Sequence, residues 1–197
     1  MDALTIFAAC GLFVASSAPC HPNVTAAAMP NGESQTIRFR LEHWRSYIQE
    51  ASQRFGIPEA WIRAVIRAES AGQTMLDGEP ITSSAGAMGL MQLMPGTWRE
   101  MRDRFKLGAD PYDPHDNIVA GVGYLRQMYD RYGYPNLFAA YHAGPGRFEA
   151  YLKGLRALPG ATSAYFAETT LNLGKSPSPP AVGDGLFVPL SPGASAR

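Results

Sequence analysis

Pro58-Glu59-Ala60-Trp61-Ile62-Arg63-Ala64-Val65-Ile66-Arg67-Ala68-Glu69-Ser70-Ala71-Gly72 is the stretch on which the fold turns. Pro58 follows Phe55-Gly56-Ile57 and suits a first helical position, where a missing N–H costs nothing. Ile62, Val65 and Ile66 recur at helical spacing and make an apolar stripe. Glu59, Arg63 and Arg67 step by four along the opposite face, which water covers. Glu69 breaks this division. It stands seven residues after Ile62, four after Val65 and three after Ile66, so the helix turns it onto the apolar side. Two readings are open for it. One is an exposed Glu at a fraying helix end, the commoner fate of this residue type. The other is a carboxyl at the edge of a cleft, because a bare charge on an apolar stripe must be neutral, paired or partly wet. In that second case burial and the negative end of the helix dipole both raise its pKa. A carboxylic acid that keeps its proton near neutral pH can serve as a general acid.

Helical spacing continues on both sides. Upstream, Leu41, Trp44, Ile48, Ala51 and Phe55 predict one helix that Gly56 ends. Downstream, residues 71–87 are rich in Gly, Ser, Thr and Ala, with turns at Asp77-Gly78 and Pro80, and read as a long irregular loop of the kind that carries function. A short apolar piece, Met88 to Met94, precedes a helix marked by Trp98, Met101 and Phe105. Asp113-Pro114 then opens the clearest helix, with Ile118, Val122, Leu125, Tyr129 and Tyr132 on one side and Gly133 at its end. Gly121 and Gly123 inside it cost helix propensity, which points to close packing. Residues 136–143 form a short helix broken by Gly144-Pro145-Gly146. Phe148, Tyr151 and Leu152 continue another, and a last one follows Pro159 through Tyr165, Phe166 and Leu171. No stretch alternates β-branched residues, so the expected class is all-α.

Of 197 residues, 17 are Lys or Arg and 17 Asp or Glu; this balance argues against a strongly basic nucleic-acid binder. The apolar start, Met1 to Ala15, is too short to span a bilayer. With the small residues Ser16-Ser17-Ala18 it reads as a signal peptide over 1–18, and so as export. Asp2 replaces the usual basic start, and Pro19 moves the expected cleavage towards residues 26–28. Residues 19–36 read as a linker, 37–173 as one folded domain, and 174–197 as a flexible Pro/Ser/Gly tail. Cys10 and Cys20 both lie before the domain, so no disulfide framework and no Cys/His metal cluster is expected. His21, His43, His115 and His142 lack ligand spacing, and neither a metal nor a cofactor is expected.

Three segments then stand out as an ordered set: Glu69-Ser70; Gly86-Ala87-Met88-Gly89-Leu90-Met91-Gln92 with Ser83 before it; and Ala140-Tyr141-His142-Ala143-Gly144-Pro145. In this order and spacing they resemble the lysozyme-like lytic transglycosylases of the soluble type. Asp113-Pro114-His115-Asp116-Asn117-Ile118-Val119-Ala120-Gly121-Val122 resembles the helix joining the second and third motifs, and Pro159, Thr162 and Tyr165 resemble the last helix. The likeness covers about residues 41–172. It implies a lysozyme-like single catalytic domain that cleaves the MurNAc–GlcNAc bond of peptidoglycan. Glu69 acts as acid and then as base, and the muramic acid 6-hydroxyl closes onto the anomeric carbon to leave a 1,6-anhydro end.

The same resemblance implies substrate-binding roles for Ser83, Met91, Gln92, Tyr141 and His142. Taken alone, each has a plainer reading. Ser83 is one Ser in a Ser-rich loop, Met91 suits a core as well as a sugar face, Gln92 is an amide that elsewhere faces water, and Tyr141 is more often core. His142 departs from the family, which has Asn at this point; a His charge there would bear on the acidic limb of activity, or the swap is simply tolerated. Glu69 is the only carboxylate in the motifs, whereas glycosidases normally pair two. Asp77 and Glu79 are near enough in sequence to direct a water, which leaves a lysozyme-like hydrolase as one alternative. A wall-binding assembly component with little turnover is another. Peptidoglycan glycan strands are the expected partner, the periplasm or another exported compartment the expected location, and a monomer the expected state. The domain size resembles small transglycosylases that serve secretion or conjugation machines. The tail suits either a recruiting segment or a spacer.

Overall fold

The structure is a computed structural model and describes residues 35–171 and 173. The leader expected over 1–18 with Cys10, nearly all of the linker with Cys20, and the tail over 174–197 lie outside the described residues. The single helix expected from Leu41 to Phe55 is two: α1 (Gln35–His43), which starts inside the expected linker, and α2 (Arg45–Phe55). The break is at Trp44 (φ −92°, ψ 9°), whose indole Nε1 donates to the Gly72 carbonyl at 3.0 Å. A tertiary bond to a residue 28 positions away sets this corner, so the local periodicity could not show it. Gly56 closes α2 at φ 63°. Pro58 caps α3 (Glu59–Ser70) rather than entering it, since its ψ of 134° is not helical; its carbonyl accepts from Trp61 N (2.9 Å).

The loop after α3 holds a small antiparallel hairpin, β1 (Met75–Leu76) with β2 (Glu79–Pro80), too short for alternation to register in the sequence. Then come α4 (Pro95–Phe105), α5 (Pro114–Tyr132), α6 (Asn136–Ala143), α7 (Pro145–Leu152) and α8 (Gly160–Leu171). Asp113 caps α5 as expected: its Oδ1 accepts from Asp116 N at 2.9 Å. α2, α4 and α6 pack around α5. Gly121 and Gly123 make that packing possible, because a Cβ at either would overlap the Met91 or the Phe105 side chain.

Trp61, fully buried, sits in the core between Tyr134, stacked at 5.1 Å between ring centres, and Phe138 at 5.8 Å edge-on. Arg126 is buried too. It donates to the Phe55 carbonyl (3.3 Å) and pairs with Asp130 (2.7 Å), which offsets the cost of burying its charge. Among the described residues eight helices and one short hairpin form an all-α domain, and no helix is long and apolar enough to cross a membrane.

Candidate active site

The last turn of α3 builds the site. Ser70, buried, donates from Oγ to the Ile66 carbonyl (3.1 Å) and accepts from Gly72 N (3.2 Å). Ala71 ends the helix at φ 52°. This tight stop turns the chain aside directly after Glu69 and leaves its carboxyl facing a cleft of about 580 Å³. Around Glu69 the cleft walls include Ser83, Gln92, Tyr141, His142 and Arg147. Among the described residues no other Asp or Glu lines it. A second groove of about 320 Å³, between α1 and residues 72–75, has no carboxyl in its lining among the described residues.

Glu69 carries the electrostatics of the site. Burial pushes its pKa from 4.5 up to about 7. The Tyr165 hydroxyl beside it pulls the other way, and the Glu168 charge adds a further upward push. Tyr165 Oη is buried without a partner at ordinary hydrogen-bond geometry, so its hold on the carboxylate is weak and burial wins. Burial and the Glu69 charge keep the Tyr141 and Tyr165 hydroxyls protonated far above neutral pH. Both can therefore donate and neither competes for the proton that Glu69 holds.

Each residue singled out in the sequence has a definite place. Ser83 Oγ accepts from Ala87 N (3.0 Å) and its carbonyl from Gly86 N (2.8 Å), so it closes its own loop while lining the cleft. Gln92 lines the cleft at φ 48°, with Nε2 donating one N–H to the Gly89 carbonyl (2.9 Å); the second N–H and the side-chain carbonyl oxygen are what it has left to offer. Tyr141 is 7% exposed, edges the cleft, and donates its hydroxyl to the Met91 carbonyl (2.8 Å).

Met91 requires a correction. Its side chain is 0% exposed and fills the space at Gly121, so it packs the core and offers no face to a sugar. His142 is exposed in the cleft. Its Nδ1 lies 3.1 Å from Thr162 Oγ1 and its ring 4.6 Å from that of Tyr165. Burial, and then the Arg147 charge, hold its pKa below the ordinary His value, so its charge arises only in acid. Asp77 and Glu79 are exposed on the hairpin and outside the cleft lining.

Three contributors carried no role in the sequence reading. Tyr165 and Thr162 were placed in the last helix, but only the packing of α8 on α3 and α6 brings them against the cleft residues Glu69 and His142. Arg147 follows Gly146, and its charge reaches His142 across the start of α7.

A helical frame holding one desolvated carboxyl at the floor of a polar and aromatic cleft places the molecule among the lysozyme-like domains. Residues 46–162 match the transglycosylase SLT domain, and the chain belongs to that family. It is 38% identical over 103 residues to the soluble lytic murein transglycosylase of Escherichia coli (strain K12), a match spanning 49% of this chain and 15% of that protein. It is 39% identical over 103 residues to a transglycosylase of Enterobacteria phage PRD1, spanning 51% of this chain and 35% of that one. Among solved structures it superposes on an inactive mutant of the lytic transglycosylase Slt from Pseudomonas aeruginosa with a TM-score of 0.52 and 34% identity, over 68% of this chain and 21% of that one. The chain thus spans well under half the length of these relatives.

Proposed function

We propose that this protein is a peptidoglycan lytic transglycosylase that cleaves the MurNAc–GlcNAc bond without water. The observation that carries the reading is Glu69: a carboxyl whose pKa is raised to about 7, alone of its kind in the cleft lining among the described residues. In the first step its proton goes to the leaving glycosidic oxygen as the C1–O bond breaks. The carboxylate left behind then takes the proton of the muramic acid 6-hydroxyl as that oxygen bonds to C1. The proton returns to Glu69, no water is consumed, and the product ends in a 1,6-anhydro sugar.

Intramolecular attack is favoured because the hydroxyl is held close by its own ring. A hydrolase would need a group to aim a water, and Asp77 and Glu79 stand on the exposed hairpin. Ser83, Gln92, Tyr141 and His142 would hold the sugars, with Tyr141 acting from the wall beneath them. The substrate lies outside the cytoplasmic membrane, so the proposal carries export with it, and action as a monomer. Its narrower form is service to a secretion or conjugation machine, for which the likeness to small transglycosylases is the support.

Digestion of purified peptidoglycan tests the reaction. Anhydro ends are lighter than reducing ends by one water, so product masses that show mainly anhydro ends are expected. Mainly reducing ends would replace this reading with a hydrolase, and tight binding without products would replace it with a wall-binding component.

A further inference from the structure

We propose that Asn117 is the positioning residue of the cleft: its buried carboxamide sets where the turn at residues 88–92, and with it Gln92, stands. The proposal deepens the reading of the cleft as a glycan site and rests on it.

Asn117 is 0% exposed in the first turn of α5. Its amide is spent on backbone alone. Nδ2 donates to the carbonyls of Met88 (3.1 Å) and Pro111 (2.8 Å), and Oδ1 accepts from Met91 N (2.8 Å). Gly89 (φ 73°) passes so close that a Cβ there would overlap the carboxamide. Four residues on, and so on the same face of α5, Gly121 leaves the space that the Met91 side chain fills. One helix face thus holds Met91 twice, by its N–H and by its side chain. The Met91 carbonyl is held from the far side by the Tyr141 hydroxyl of α6 (2.8 Å).

The next residue is Gln92, at φ 48° in the left-handed region. A non-Gly residue stays there only where its surroundings over-determine it. Those surroundings are the Asn117 clamp, the Tyr141 bond and the paired bonds between Met88 and Leu93 (2.9 and 3.0 Å). A carboxylate at position 117 would keep the acceptor for Met91 and lose both donors. An alanine would lose all three bonds and leave buried backbone groups without partners. In either case the turn loses its tie to α5, and Gln92 relaxes out of its strained conformation.

The test compares wild type with Asn117→Ala, Asn117→Asp, Gly89→Ala and the Asn117→Ala/Gly89→Ala double variant, with folding checked by circular dichroism. Two readouts are used: hydrogen exchange at the Met91 amide, and titration with the N-acetylglucosamine tetramer alongside the kinetics of wall solubilisation. In the folded single variants Met91 exchange should quicken at least ~10-fold. Affinity for the tetramer and kcat/KM should fall on the order of 10²-fold, with KM raised. The double variant should be no worse than the worse single one, because both changes break the same contact.

Folded variants with unchanged tetramer affinity, or with unchanged Met91 exchange, would overturn the proposal. So would a loss confined to kcat at unchanged KM, which is the mark of a smaller folded fraction. Should Asn117→Ala not fold, Asn117→Asp decides by the same readouts, since it keeps the acceptor for Met91 and loses only the two donors. If the wild type makes no anhydro ends, the reaction proposed above fails, while exchange and tetramer binding still decide the role of Asn117.

Discussion

Glu69 at the end of α3 and His115 at the start of α5 both hold a proton above their ordinary range, and they do so by opposite means. At Glu69 the cause is loss of water: the carboxyl is buried, and the one hydroxyl that would stabilise its charge, Tyr165, makes no bond of ordinary geometry with it. At His115 burial lowers the pKa, and hydrogen bonds to Glu50 and Asp116 together outweigh it. Nδ1 lies 2.9 Å from Asp116 and Nε2 3.1 Å from Glu50, while the Tyr47 ring packs edge-on at 5.3 Å. Nearby, Asp113 and the second oxygen of Asp116 are committed to the amides of Asp116 and Gly108. A raised pKa therefore does not by itself mark a catalytic group. Where neighbours supply the charge that keeps the proton, the group is a clamp; where the absence of water keeps it, the proton is available to a substrate.

The strongest way to break this contrast is Glu69→Gln. If Glu69 is the acid, wall lysis should fall by roughly 10²–10⁴-fold or more, with circular dichroism unchanged. A folded Gln variant with near-normal lysis would remove Glu69 from the mechanism. The same variant sharpens the energetic side. The folded pKa of about 7 lies above the unfolded 4.5, so the folded state binds this proton more tightly. That contribution is whole below pH 4.5, fades as pH rises, and is gone above about 7. Gln has no proton to lose, so its stability should match wild type in acid and exceed it at pH 8, by about 3 kcal/mol or several degrees in Tm. Thermal melts at the two pH values check this; a variant less stable at pH 8 would mean that the carboxylate is favourably held.

Activity should show the same group. kcat/KM for wall solubilisation should fall as pH rises through about 7, because the acid form is then lost. Tyr165→Phe removes the donor that pulls this value down, so the limb should move to higher pH by less than a unit, with Tm unchanged or slightly raised since an unpartnered buried hydroxyl goes with it. A limb that does not move up would mean that the hydroxyl does not lower the Glu69 pKa.

Much of this was legible in the residues. The α3 stripe put Glu69 on the apolar side, and Asp113-Pro114 gave the start of α5. Met91 was not legible: the motif it sits in also faces a core, and only the gap at Gly121, 30 positions away, decides between core and cleft. Asn117 was read as part of a helix, because spacing reports the face of a residue and not which backbone groups its amide will meet. The split at Trp44 and the approach of Tyr165 to Glu69 are likewise made by contacts distant in sequence. Periodicity locates groups along the chain, and the chemistry of the cleft depends on what meets across it.

The smallest expected effect lies at the clamp, and its direction separates it from the cleft. His115→Gln keeps a polar side chain but cannot carry the charge that faces two carboxylates at once. The folded pKa of His115 is raised, so its contribution is whole below the ordinary 6.5 and is lost as pH rises through the folded value. The variant should thus be less stable than wild type at about pH 5.5 and close to it well above neutral, the reverse of the ordering at Glu69, where the variant gains. The side chains involved are 35% (His115) and 51% (Glu50) exposed, so solvent screens the pair and the loss should stay under about 1 kcal/mol. It should also shrink in high salt. Lysis per folded molecule should be unchanged, because the ring ties α5 to α2 and no part of it lines the cleft. Melts at two pH values and two salt concentrations measure this. A loss that is independent of pH would show that the ring acts through its packing on Tyr47 and not through its charge, and the contrast between the two protons would then rest on Glu69 alone.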